Sequence, residues 1–415
     1  MTGRRLRAGD ASLWPLMWAI ILVFGTFTVI PVGLCLTDPG MPPGFAEVAG
    51  LAALATVGMV VGYSLLPTGR GGLLQRPVKH RSSRRVAIGI FIAYALVLSV
   101  LAATAPSIPL LGAVVGGGAG DISESREQFL KARSGWVTAF VYAHALLAGS
   151  LVPYAIAGAL TYRLRGRLVA ICAFFFGCLL FAEKAFFLKA VIPIATVEWR
   201  RGRRAIIFAI GVVTIACLMA LAIITMRNTS EARLESGSWT LSEYFSSAHV
   251  AGASSSPTEY MAWRALAVPI FTAVDSLSTF RETYGAQHFL GATSSFVSGV
   301  SGQEHIWFER SVFEFQWGQN ATGTGSSNTV FFIEAFVNFG IPGVVIFSIF
   351  AGACLAFFAR SADPALAALW PLFLFAIYCG GMIGTLLSNG FVVVAIVTLC
   401  VRCPMGSRGM GLRAP

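Results

Sequence analysis

Of the 415 residues, 56% are hydrophobic and only 12% charged, and the formal net charge is +11. A soluble domain of this size cannot hide so much apolar surface from water, so the solvent of the chain is lipid. The basic residues fall in short clusters between apolar runs rather than along one polar face, which excludes a nucleic-acid-binding surface and marks them as topology signals.

Each apolar run is roughly 15 to 25 residues long, about what a helix needs to cross a hydrocarbon core of about 30 Å. The ten-residue alternation of a β-barrel is missing. The fold class read from this pattern is all-α, a polytopic transmembrane helical bundle of about ten spans with one large external loop.

Arg4, Arg5 and Arg7 precede the first span, Ala11 to Leu36, which is too long and lacks the small-residue site of a cleaved signal peptide. An acidic link from Thr37 to Glu47 leads to a second span, about Val48 to Leu66, and then to a basic loop with Arg70, Arg76, Lys79, Arg81, Arg84 and Arg85. The third span, about Val86 to Ala103, opens an external loop from 104 to 134, and the fourth, about Gly135 to Leu160, returns to Arg163, Arg165 and Arg167. The apolar stretch from Leu168 to Trp199 contains Glu183, Lys184 and Lys189 and has arginines at both ends, so it reads as two short helices, about Leu168 to Ala182 and Ala185 to Val197. Ala205 to Met226 leads out to a segment of about a hundred residues, Arg227 to Asn328. Thr329 to Phe358 and a final hairpin, about Ala365 to Val401, precede a tail with Arg402, Arg408 and Arg413.

Three sections result: membrane helices in 1–226, a large external segment in 227–328, and membrane helices with a basic tail in 329–415. Both termini are expected in the cytoplasm, since roughly two thirds of the 30 Lys and Arg lie in loops that this path places inside. Arginine far outnumbers lysine and Ala and Gly abound, which suggests a GC-rich bacterial genome. The eight cysteines lie within or at the ends of apolar runs and imply no external disulfide framework. The lone Cys400–Cys403 pair lacks the two further ligands of a zinc site. No cofactor and no metal are expected.

The large segment opens Ser-rich, Asn228 to Pro257, and becomes helix-like from Thr258 to Tyr284, where Tyr260, Trp263, Phe271 and Phe280 are expected at headgroup level. Gly116 to Gly120 reads as a flexible turn, because no Lys-Ser/Thr follows it.

Ionisable residues inside lipid cost roughly 2.5 to 3.5 kcal/mol each at the centre of a span, so those present need a partner or a wet cavity. Glu334 and Asn338 stand four apart and share a helix face among large apolar residues, and Gly340 to Gly343 is expected to kink that helix. The external arginines Arg126, Arg133, Arg264, Arg281 and Arg310, with Lys184, suit the oxygens of a diphosphate. Taken singly, each is more often a surface charge with a nearby acid. Glu304 and Glu309 are among the possible acid partners of these arginines, and His288 and His305 could act as bases near neutral pH, although a lone loop histidine is more often solvated than catalytic.

The stretch Gly323 to Gly343, with Asn328, Glu334, Asn338, Gly340 and Gly343, resembles the region after the large external loop of bacterial O-antigen polymerases. The similarity extends to the ten-span architecture with two external loops. The related O-antigen ligases carry a His-Asn pair where this chain has Ser327-Asn328, which favours polymerase. The resemblance implies a glycosyltransferase at the outer face of the bacterial cytoplasmic membrane. It would polymerise undecaprenyl-diphosphate-linked oligosaccharide repeat units into an O-antigen, capsule or exopolysaccharide. Glu334, Glu304 and His305 would serve catalysis, the arginines and Lys184 would hold the diphosphate, and Asn328 and Asn338 would bind glycan. The implied partners are the lipid-linked oligosaccharide, the bilayer, a flippase and a chain-length regulator. A ligase-type transferase and a lipid-linked oligosaccharide flippase are the alternatives. The flippase would require charges deep in several spans and internal symmetry.

Overall fold

The computed structural model describes residues 13–66, 80–111, 129, 133–181, 184–229, 244–245, 256–318, 320 and 325–400. Among these residues the regular structure is entirely helical. Six helices are long and apolar enough to cross a membrane: Trp14–Thr37, Gly44–Leu65, Ser83–Ala103, Val137–Thr161, Phe331–Ala359 and Met382–Cys400. Shorter apolar stretches, Arg167–Cys178, Arg204–Ala220 and Pro364–Cys379, and the helix Lys184–Arg200 complete a multi-pass helical bundle.

The centre of the bundle is the pair Gly44–Leu65 and Phe331–Ala359, which share the most extensive helix contact. In lipid, close packing replaces the hydrophobic drive between helices, and small residues permit it. A Cβ added at Gly62 would lie 1.8 Å from the Ile349 carbonyl oxygen, and one at Gly352 would lie 2.1 Å from that of Met59. The backbones therefore meet where no side chain fits between them.

The helices Arg167–Phe181 and Lys184–Arg200 pack on each other. The first follows the turn at Leu164, whose amide donates to the Ala159 carbonyl. The second ends where Arg201 donates to the Leu160 carbonyl. The pair therefore returns to the end it left, as the arginines at both ends of the stretch predict. At that same end the fully buried Asp363 accepts the hydroxyls of Tyr154 at 2.9 Å and Tyr162 at 3.2 Å, and Glu198 pairs with Arg201 and Arg203.

The other end carries the described part of 227–328, which is expected outside from the sequence and is termed the external segment. Ser256 caps the helix Pro257–Ala262 by accepting the Glu259 amide, and a wide helical turn, Trp263–Ala267, leads into Val268–Glu282. Trp263, Phe271 and Phe280 are 1%, 2% and 2% exposed, so they form the core of this unit rather than an outward belt at headgroup level. The reason is packing: Val268–Glu282 lies against Gly44–Leu65 on one side and Phe308–Trp317 on another. The expected Gly116–Gly120 turn and nearly all of the Ser-rich stretch from 228 to 257 lie outside the described residues.

Candidate functional site

The helix Phe331–Ala359 is broken where the sequence predicts a kink. Gly340 takes φ 66° and ψ −158°, a backbone that a residue with a Cβ rarely adopts. Pro342 has no N–H to offer the Asn338 carbonyl four residues earlier, and the break removes the helical donor for Val337. The external segment supplies both. Phe289 N–H donates to Val337 O at 3.1 Å, and Leu290 N–H donates to Asn338 O at 3.0 Å. His288 packs on the open face of Gly340, where an added Cβ would lie 3.1 Å from its Nε2.

Asn338 completes this junction. Its side chain is fully buried, its Oδ1 accepts the Gly291 amide at 2.9 Å, and its Nδ2 donates to Thr293 Oγ1 and to Glu334 O at 2.8 Å each. The amide group is thus used up inside the protein, where it holds residues 291–293 against the helix, and it faces no open space for glycan.

What this junction positions is a cavity of about 560 Å³ between the external segment and the bundle end. Its walls come from Arg133, Thr138 and Tyr142, from Thr293 to Ser295, from His305 to Arg310, from Ser326 and Thr329, from Glu334, and from Gly381 to Ser388. Four of the residues expected at a site, Glu334, His305, Arg133 and Arg310, therefore meet in one place. Glu309 joins them.

Each brings a different hydrogen-bonding state. His305 Nδ1 lies 3.0 Å from the Ala292 carbonyl, which can only accept, so Nδ1 carries the proton and Nε2 is left with its lone pair. Glu309 Oε2 accepts the Ser326 hydroxyl at 3.1 Å. Burial pushes the Glu309 carboxyl above the ordinary carboxylate range, against the pull of that hydroxyl. Arg310 stacks on Trp307, with Cζ 3.9 Å from the ring centroid, and has no carboxylate partner among the described residues. Arg133 donates to the carbonyls of Phe129 at 2.8 Å and Leu101 at 3.2 Å and to Thr104 O, so it closes the end of the third membrane helix as well as bordering the cavity.

Glu334 has a more structural duty than its sequence setting suggests. One carboxylate oxygen, Oε2, accepts the amides of Met382 at 2.6 Å and Ile383 at 3.3 Å, at the start of the short helix Met382–Leu386. A carboxylate at a helix N-terminus is held by orphan donors and by the positive end of the helix. Glu334 therefore anchors the floor of the cavity.

Other expected residues lie elsewhere. Arg281 pairs with Glu47 in the first turn of the helix Gly44–Leu65. Arg264, Glu304 and Asn328 are exposed and do not line the cavity. Arg126 and the side chain of Lys184 lie outside the described residues. Lys189 donates to Asn389 Oδ1 at 3.4 Å inside the bundle. Among the described residues, no three His, Cys, Asp or Glu side chains are grouped to hold a metal.

Sequence reasoning missed Trp307 and the hydroxyl-bearing run Thr293 to Ser295. The signal for Trp307 is its spacing three residues before Arg310, one helical turn, which lets an indole support a guanidinium. No protein-family model matches this chain, and no curated protein or solved structure is significantly similar to it.

Proposed function

We propose that the chain polymerises lipid-diphosphate-linked oligosaccharide repeat units at the outer face of a bacterial cytoplasmic membrane, with the cavity around His305 and Arg310 as its active site. The observation that carries this reading is the assembly, in one cavity at the bundle end, of two guanidinium groups, two carboxylates, an imidazole with a free Nε2 and a rim of hydroxyls. In this reading about ten spans cross the membrane, both termini are cytoplasmic, and the two short helices between 167 and 200 form the hairpin that keeps the cavity outside. The likeness of Gly323–Gly343 to O-antigen polymerases supports the same conclusion.

The reaction breaks the bond between the anomeric carbon of the growing glycan and its diphosphate oxygen, and forms a bond from that carbon to an acceptor hydroxyl on the incoming unit. The diphosphate leaves with the electron pair. Arg310, preoriented by Trp307, and Arg133 stabilise the charge that develops there. His305 Nε2 takes the acceptor proton, and Glu309, whose burial favours its protonated form, lines the same cavity. Glu334 positions the Met382–Leu386 turn rather than reacting. Thr293, Ser294, Ser295 and Ser326 offer hydroxyls to sugar, and Trp307 and Tyr142 offer aromatic faces.

The test is a gel of surface glycan from a strain lacking the protein, complemented with the native chain or with Arg310→Ala. Single capped units without a ladder, restored by the native chain and not by the variant, are the expected result. Loss of all glycan points to ligation or transport instead, and an unchanged ladder removes this chain from that glycan's assembly.

A further inference from the structure

At the end of the bundle opposite the cavity, the helix Val137–Thr161 stops in a tight turn. Arg163 N–H bonds to Leu160 O at 3.2 Å and Leu164 N–H to Ala159 O at 2.9 Å. Leu164 is 8% exposed and pinned into the core, while its neighbours Arg163 and Arg165 are exposed. Arg163 holds φ 51°, a left-handed backbone uncommon for a residue with a Cβ, and such outliers point from strain to use.

Arg84, near the start of the helix His80–Ala103, comes alongside. With Tyr162 and Leu164, the three arginines line a concavity of about 360 Å³ that has no acid in its wall among the described residues. Asp363, to which Tyr162 donates, is fully buried and also accepts the Tyr154 hydroxyl and the Ala365 amide, so its charge is spent behind the wall. Three arginines bordering one hollow make it positive and favour an anion there. Their planar forks match phosphate oxygens, and basic hollows between helix ends at a membrane surface suit lipid headgroups.

We propose that Arg84, Arg163 and Arg165 form a binding site for a phosphate-bearing anion, distinct from the cavity at the other end. The chemistry is that of a phosphate mono- or diester, whether from an anionic lipid headgroup or from free phosphate.

The full-length chain in neutral detergent is mixed with phosphatidylglycerol, phosphatidylcholine or inorganic phosphate, and retained adducts are followed by native mass spectrometry together with thermal unfolding. Phosphatidylglycerol should be retained about tenfold better than phosphatidylcholine and should raise the unfolding temperature. Arg84→Gln/Arg163→Gln/Arg165→Gln should abolish that preference. Arg204→Gln, which removes an exposed charge at the same end but outside the hollow, should keep it. Stabilisation by inorganic phosphate without lipid preference, lost in the triple variant, assigns the site to soluble phosphate. Because the triple variant touches a strained turn, Arg84→Gln alone, on a regular helical turn, serves as the second reading. Native-level preference in either variant, or no response of the native chain to any of the three ligands, overturns the proposal.

Discussion

His305 and Glu334 border the same cavity but carry different hydrogen-bond loads, and that difference predicts different mutants. His305 has one nitrogen fixed by the Ala292 carbonyl and the other free, whereas Glu334 already accepts two backbone amides. Removing a positioned general base costs about 10²- to 10⁴-fold in rate, so His305→Ala should lose turnover on that scale. Glu334→Gln keeps an amide oxygen that can accept the Met382 amide, and it should retain activity within about tenfold of the native chain. Measured rates in the reverse order would assign the base to Glu334 instead. The sequence pointed to Glu334 because a charge among large apolar residues needs a partner, to His305 because an imidazole can act as a base near neutral pH, and to Arg133 and Arg310 because their forks suit diphosphate oxygens. It did not separate them, because the partners that decide their roles are a carbonyl 13 residues away and amides 48 and 49 residues away.

At the scale of elements, the broken helix Phe331–Ala359 and the external segment are one device. The segment supplies donors to the carbonyls of Val337 and Asn338, and the Asn338 side chain returns an acceptor to Gly291. Gly340→Ala forces a Cβ into a left-handed backbone beside His288, and should destabilise the fold by about 1 to 3 kcal/mol. Asn338→Ala leaves the Gly291 amide buried without its acceptor, at a cost of about 1 to 3 kcal/mol. Thermal unfolding in detergent checks both, and unchanged unfolding temperatures would separate the segment from the helix.

The same external unit has a pH dependence with a definite sign. Burial lifts the Asp275 carboxyl from its ordinary 3.8 to about 6, although the Gln316 amide donates to it at 2.9 Å and opposes the shift. The folded state therefore holds that proton more tightly than the unfolded chain does. Its contribution to stability is full below about pH 3.8 and is lost as pH rises through about 6. The unfolding temperature should fall over this interval, and Asp275→Asn should flatten that part of the profile. A native profile that rises across the interval would contradict the assignment. The kink at Gly340 was legible because Gly-Ile-Pro-Gly interrupts an apolar run. The burial of Trp263, Phe271 and Phe280 was not, because an apolar stripe facing protein looks the same in sequence as one facing headgroups.

For the whole molecule, the helix bundle was legible from run length and apolarity, since lipid leaves few alternatives to a helix. The paired short helices between 167 and 200 followed from arginines at both ends, and the return of Arg201 to Leu160 matches that reading. The convergence of residues 133, 305, 310 and 334 was beyond reach of spacing alone, because it is set by how the external segment docks on the broken helix. The central claim is that this cavity joins lipid-linked units. Its most direct test places the purified native chain in liposomes with lipid-linked intermediates extracted from the deletion strain, and resolves the glycan products on a gel while assaying released lipid diphosphate. The expected result is a ladder with one lipid diphosphate released per bond formed, both abolished by Arg310→Ala. Intermediates that stay single while the native chain is folded and present would contradict it.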